Sequence, residues 1–136
     1  IESMGMNVEC QIKGTFRQSM VPIHRLIEML GILLDNAAQS MQDDVIEGAE
    51  IRFGFLEKKE DCQFKISNKF PYTSYDEIEG WFQMGKSTKG ENHGIGLYHL
   101  KCLCKELGCE VLCRNVEIEE ENWIEFVLEV HKADME

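Results

Sequence analysis

Residues 22–41 read Pro-Ile-His-Arg-Leu-Ile-Glu-Met-Leu-Gly-Ile-Leu-Leu-Asp-Asn-Ala-Ala-Gln-Ser-Met, and the fold class turns on this stretch. Pro22 suits the first turn of a helix, where its missing N–H would have no intrahelical partner anyway. Ile23, Leu26, Ile27, Leu30, Leu34, Ala37, Ala38 and Met41 then recur at three- and four-residue spacing. That period predicts an amphipathic helix reaching about Gln42. Arg25, Glu28, Ile32, Asn36 and Gln39 fall on the opposite side. Such a set is ordinarily a solvated face. Met29 and Ile32 are apolar there, however, and Asn36 is a modest helix former at mid-helix. A ligand or loop lying over this second face would explain both.

Working outward, Asn7 to Ile12 alternates, with Val8, Cys10 and Ile12 pointing one way, and predicts a short half-buried strand. Glu50–Leu56 and Cys62–Asn68 read as two strands joined by the charged turn Glu57–Asp61. Phe64, Ile66 and Asn68 share a face by period two. A polar side chain facing a core needs a partner, so Asn68 either caps local backbone or reads a polar ligand edge at the mouth of the fold. Phe70 to Asn92 is mostly irregular, with a short helix from Tyr75 to about Phe82. Connections this long are usually functional or mobile. Gly94 to about Leu107 predicts a helix ended by Gly108. Cys109–Val116 and Asn122–His131 predict a hairpin across an acidic turn, with Ile124, Phe126, Leu128 and Val130 alternating against Trp123, Glu125, Val127 and Glu129. The expected architecture is α+β: a two-layer sandwich with a mixed sheet of about five strands and helices on one face, forming a single domain over residues 1–136.

Composition narrows the function classes. The chain has 136 residues with a net charge of −11, a surface that repels phosphate backbones and argues against general nucleic-acid binding. A single nucleotide is compatible with it, since that needs only a local site and a divalent cation. The longest stretch free of Asp, Glu, Lys and Arg is the nine residues from Asn92 to Leu100, too short to span a bilayer. No secretory signal opens the chain, and its start at Ile1 suggests a piece of a longer protein. Cys10, Cys62, Cys102, Cys104, Cys109 and Cys113 read as reduced thiols in a cytosolic compartment, and no Cys-x-x-Cys knuckle marks a zinc site.

Ser87-Thr88-Lys89-Gly90-Glu91-Asn92-His93-Gly94-Ile95-Gly96-Leu97 runs three glycines into a predicted helix N-terminus. Free N–H groups and the positive dipole end make an anion site there, and glycine lets a phosphate approach the backbone closely. Lys89 could add charge, and Ser87 and Thr88 hydroxyl donors. The spacing is neither that of a P-loop nor that of a Rossmann fingerprint.

Taken together, Leu30-Gly31-Ile32-Leu33-Leu34-Asp35-Asn36-Ala37 resembles the N box of the GHKL superfamily, and Phe82 to Leu97 resembles its ATP lid and second glycine box. With Asn68 between them, the chain from Val8 to Val130 is most similar to the catalytic ATP-binding domain of peptide-pheromone (accessory gene regulator type) sensor histidine kinases. The resemblance implies a Bergerat-type sandwich holding ATP between helices and lid. Asn36 then matches the Mg²⁺-coordinating asparagine. Asn68 falls where most of the superfamily carries an aspartate that accepts from the adenine amino group. His93, Gly94, Ile95, Gly96 and Leu97 match the phosphate-binding turn, Ser87, Thr88 and Lys89 the lid near the phosphates, and Phe82 an aromatic anchor of the lid. Gln39 occupies a position often held by Lys or Glu. The catalytic set implied is Asn36, the flanking Asp35 and Lys89.

The chain also departs from the pattern. Ile32 stands where hydrolytic relatives have a water-activating glutamate, so rapid ATP hydrolysis is not expected. Lys69-Phe70-Pro71 replaces the first glycine box, and His93 stands where Arg is common. The implied function is transfer of the γ-phosphoryl group of Mg-ATP to a histidine on a separate dimerisation domain, with a response regulator downstream in quorum-sensing two-component signalling. None of His24, His93, His99 and His131 reads as that acceptor. The expected setting is the cytoplasmic part of a membrane-anchored kinase, with this segment monomeric in isolation and not inserted in the bilayer. Two other readings stay open: a nucleotide-binding or docking module without transfer, and an anti-sigma-type serine kinase of the same fold.

Overall fold

A computed structural model describes residues 7–13, 21–43, 50–83 and 91–131, with side chains for 21–39, 50–83 and 96–131. The elements run β1 (Asn7–Lys13), α1 (Ile23–Asp43), β2 (Glu50–Glu57), β3 (Asp61–Lys69), α2 (Tyr75–Trp81), α3 (Glu91–Leu107), β4 (Glu110–Ile118) and β5 (Glu121–His131). They form a five-stranded sheet of order β1-β2-β3-β5-β4. β2, β3, β5 and β4 are antiparallel neighbours, and β1 joins β2 in parallel at the edge. The mixed α+β sandwich expected from periodicity is therefore the architecture. Among the described residues no helix is long and apolar enough to cross a membrane.

One face of the sheet carries the core. Ile51 and Phe55 of β2, Cys62, Phe64 and Ile66 of β3, and Ile124, Phe126, Leu128 and Val130 of β5 are all buried against the helices. Alternation puts these residues on one side, because within each strand they lie two or four positions apart. Leu26, Met29, Leu33 and Ala37 of α1 meet them, with Ile78 of α2 and Leu97, Leu100, Leu103 and Cys104 of α3. On the opposite face Trp123 is buried beneath the Arg52 guanidinium, 4.6 Å from the ring centroid.

The buried stripe of α1 is not the one its sequence spacing picks out. Ile23 and Ile27 are 59% and 63% exposed, while Met29 and Leu33 are fully buried. The true stripe is turned toward residues 26, 29, 33 and 37, because α1 packs on the sheet beside α3 and needs apolar contacts on two sides. The Met41 side chain lies outside the described residues, as do those of Val8, Cys10 and Ile12. Pro22 sits just ahead of α1, its carbonyl accepting from the Arg25 and Leu26 N–H groups at 3.0 Å. Ser74 caps α2 by accepting from Glu77 N–H at 3.3 Å. The turn between β4 and β5 is only two residues, Glu119 and Glu120, both at positive φ (52° and 66°). Asn-Gly is the usual filling of such a turn, so a Glu-Glu pair hid its tightness.

Candidate functional site

Helices α1 and α3 pack antiparallel. Arg25 reaches Glu106 at 3.6 Å, and Glu28 Oε2 meets His99 Nε2 at 3.2 Å. Farther along, a Cβ added at Gly96 would stand 3.7 Å from Ile32 Cγ2. As residue numbers rise along α1 they fall along α3. Asn36 is one turn beyond Ile32, and one turn back from Gly96 lies the opening of α3 at Glu91–Asn92. This register brings Asn36 to the amino end of α3. Asn36 is half-buried there, with Asp35 and Gln39 exposed on either side. The second face of α1, expected to be solvated or covered by a ligand or loop, is met by α3 at Arg25, Glu28 and Ile32 and stays exposed at Gln39.

The amino end of α3, expected to be an anion site, begins earlier than glycine spacing suggests. The helix opens at Glu91, not Gly94, so its free N–H groups belong to the first turn from Glu91, with Gly94 just inside and Gly96 deeper. Gly96 therefore lies within the helix rather than in a loop, and a Cβ there would meet Ile32 at ordinary contact distance. Leu97, 3% exposed, is core and seats the helix. The side chains of His93 and Ile95 lie outside the described residues, as do Ser87, Thr88 and Lys89 altogether.

Asn68 closes the buried face of β3 and is 2% exposed. Its register neighbours are Ile51 on β2 and Ile124 on β5. Its Nδ2 donates to the Lys69 carbonyl at 3.0 Å, which leaves Oδ1 as the accepting end of the amide. The contact shows the local-backbone role, and it leaves the orientation of the amide compatible with a ligand-reading one. Phe82 caps α2 and packs edge-on against Phe126 with centroids 6.1 Å apart, with Lys101 Nζ 5.3 Å above the ring. It ties the end of α2 to both sheet and α3.

Two residues that the sequence reading did not single out shape the same end of the sandwich. Asn115 pairs with Ile124, the residue that Asn68 flanks from the other side. Its side-chain amide bonds the Thr73 backbone twice, accepting from N–H at 3.0 Å and donating to the carbonyl at 2.8 Å. Asn122 donates to the Phe70 carbonyl and to Asn115 Oδ1, each at 3.0 Å. These contacts pin the chain at Phe70 and Thr73, within and just after the Lys69-Phe70-Pro71 stretch expected in place of a first glycine box. The signal was present as period two, since Asn115 and Asn122 sit at inward positions alongside Cys113 and Ile124.

Charge at the helix pair is set locally. The His99 hydrogen bond, with Arg25 beside it, holds the Glu28 carboxyl below its usual range. Glu28 is committed to joining the helices and is two turns from Asn36. Ile32, apolar and packed toward Gly96, offers no base.

A profile of the GHKL domain family matches residues 21–131. Among curated proteins, the Sensor protein CitS of Bacillus subtilis (strain 168) is 30% identical over 88 residues, covering 65% of this chain and 16% of that protein. The CitS of Halalkalibacterium halodurans is 31% identical over 94 residues, 68% of this chain and 18% of that protein. The chain thus spans less than a fifth of these relatives. Among solved structures, the catalytic domain of histidine kinase ThkA superposes with a TM-score of 0.76 at 17% identity, covering 98% of this chain and 84% of that one. Full-length ShkA in complex with AMPPNP gives 0.70 at 16% identity, covering 98% and 27%. ThkA in complex with the response regulator protein TrrA gives 0.73 at 14% identity, covering 97% and 36%. The structural likenesses are likenesses of fold, but the family profile takes in α1, the end of β3 and α3 together, and the chain belongs to the GHKL domain family.

Proposed function

We propose that this chain is the ATP-binding catalytic domain of a sensor histidine kinase, donating a γ-phosphoryl group to a histidine on a dimerisation domain outside it, within quorum-sensing two-component signalling. The observation that carries the reading is the α1–α3 register, which stands Asn36 at the amino end of α3 while Asn68 closes the buried floor of β3. A triphosphate has a helix dipole and free N–H groups at one end of this space, and an adenine amino group has the Asn68 Oδ1 acceptor at the other. The CitS proteins are named sensor proteins, the ShkA structure holds AMPPNP and the ThkA complex holds a response regulator; each supports the reading by likeness.

The residues fit a magnesium ion bound chiefly through nucleotide. Mg²⁺ takes oxygen donors, keeps several waters and commonly uses one or two protein ligands plus phosphates. Asn36 supplies an amide oxygen, and Asp35 stands next in sequence. The ion would neutralise phosphate charge. The protein's own part is positioning: the amides of α3 hold the phosphates, Asn36 orients them from α1, and Lys89 adds a compensating charge from the lid. Ile32 in place of a glutamate favours transfer over hydrolysis, because a histidine acceptor brings its own nucleophilic nitrogen. Ser87 and Thr88 would donate to the phosphates, with Phe82 fixing the root of the lid.

Calorimetry with a non-hydrolysable ATP analogue, with and without Mg²⁺, tests this on wild type and Asn36→Ala. Mg²⁺-dependent binding lost in the variant is the expected result. Absence of binding at millimolar nucleotide would overturn the reading in favour of a docking module. Binding indifferent to both Mg²⁺ and Asn36 would remove Asn36 as the metal ligand.

A further inference from the structure

The carboxyl end of α3 closes in a Schellman motif. Gly108 takes the left-handed conformation (φ 74°), and the Cys109 N–H donates to the Cys104 carbonyl at 3.0 Å. A closure of this kind brings together the side chains at its two ends, which are commonly a hydrophobic pair. Here both are cysteine. Cys104 and Cys109 are 4% and 6% exposed, and the closure sets their side chains side by side in the core. Cys109 Sγ in turn donates to Met29 Sδ of α1 at 3.9 Å. Both cysteines are free thiols. Two cysteines at the ends of a closed 6→1 backbone turn, both facing the core, are neighbours that a disulfide can join.

We propose that Cys104 and Cys109 are a redox modification site, closed to an intramolecular disulfide by exchange with a low-molecular-weight disulfide. Cys109 as thiolate attacks one sulfur of the small disulfide, whose S–S bond breaks and releases a first small thiolate with the electron pair. Cys109 then carries the mixed disulfide. Cys104 loses its proton and attacks Cys109 Sγ, expelling the second small thiolate. The two protein thiols are oxidised by two electrons in all. The small disulfide is reduced to two thiols, which take up the two protons.

The order of attack follows from the contacts. The neighbouring Cys104 holds the Cys109 thiol below the usual range, while Cys109 and burial push that of Cys104 up. Burial restricts access, but Lys105, Glu106 and Gly108 around the pair are exposed, and a last helical turn opens locally at low cost. The bond would join the end of α3 covalently to the residue leading into β4, at the opposite end of α3 from the candidate site.

The test uses the full 136-residue chain. Folded protein is incubated with oxidised glutathione, quenched with acid, alkylated and digested with trypsin. Cleavage after Lys105 separates the two cysteines, so the bond links peptide 102–105 to peptide 106–114, and fragmentation assigns it. The expected result is loss of two hydrogens and of two alkylatable thiols, reversed by dithiothreitol and formed faster in the folded chain than in denaturant. Cys104→Ser should leave a glutathione adduct on Cys109. Adducts on exposed Cys102 alone, with Cys104 and Cys109 still alkylatable, would overturn the proposal, as would a link that forms no faster in the folded chain. Neither readout involves nucleotide, so the result bears on this site separately from the kinase reading.

Discussion

At the scale of single residues, Gly96 separates what folding asks from what a ligand would ask. It lies inside α3, where glycine destabilises a helix by roughly 0.5–1 kcal/mol relative to alanine. Nothing in the packing demands it, since an added methyl would meet only Ile32 Cγ2 at an ordinary 3.7 Å. Gly96→Ala should therefore raise stability by up to about 1 kcal/mol in denaturant titration. If the glycine is kept for phosphate approach, the same variant should bind ATP analogue more weakly in calorimetry. Opposite movement of the two readouts would identify a residue held for ligand; a parallel loss of both would return it to packing. Asn68 shows the same division within one side chain, with its NH₂ fixed on the Lys69 carbonyl and its oxygen left to accept.

At the scale of elements, the part of the site nearest Asn68 rests on a loop held by amides. Asn115 satisfies both backbone groups of Thr73, and Asn122 ties the same loop through Phe70. Asn115→Ala removes both bonds and leaves the partly buried Thr73 backbone groups without them, which should cost about 1–3 kcal/mol. Hydrogen exchange at residues 70–74 should accelerate more than in β3 and β5; a loss spread evenly over the molecule would mean that the loop is not separately held. What the sequence disclosed at this scale follows the reach of each signal. Strands with one buried face announced themselves by alternation, and Gly108 marked the end of α3. The buried stripe of α1 did not, because its neighbours come from α3 some 60 to 80 residues later and cover a side that periodicity counts as wet. Asn36 was legible only through its motif, and Asn115 and Asn122 only as inward positions, since an inward amide declares its partner only when the loop opposite it is known.

Over the whole molecule, charge makes stability depend on pH in a definite sense. The chain carries −11, so acidification toward pH 6 lessens self-repulsion in the folded state. Two pairs that join separate elements act in addition. His131 on β5 is bonded to Asp61 at the start of β3, and that bond, helped by the field of Glu129 and Glu110, raises the imidazole above its ordinary 6.5. A raised value in the folded state stabilises fully below the unfolded value and is lost as pH climbs through the folded one. Glu28, held down by His99 and Arg25 from an ordinary 4.5, acts the other way: its contribution is present above 4.5 and fades as pH falls through the folded value. Both are in place between about 4.5 and 6.5, so maximal stability belongs on the acid side of neutrality. Denaturant titrations should show stability rising from pH 8 to pH 6, with no more than about 1 kcal/mol of the gain owed to the His131 pair, which is half exposed and screened. His131→Gln should remove that share and leave the part owed to net charge, which added salt at pH 8 should recover. An unchanged slope in the variant would mean that the Asp61 contact forms without binding the proton more tightly, and a flat profile in the wild type would mean that the acidic surface is too dispersed for its repulsion to count.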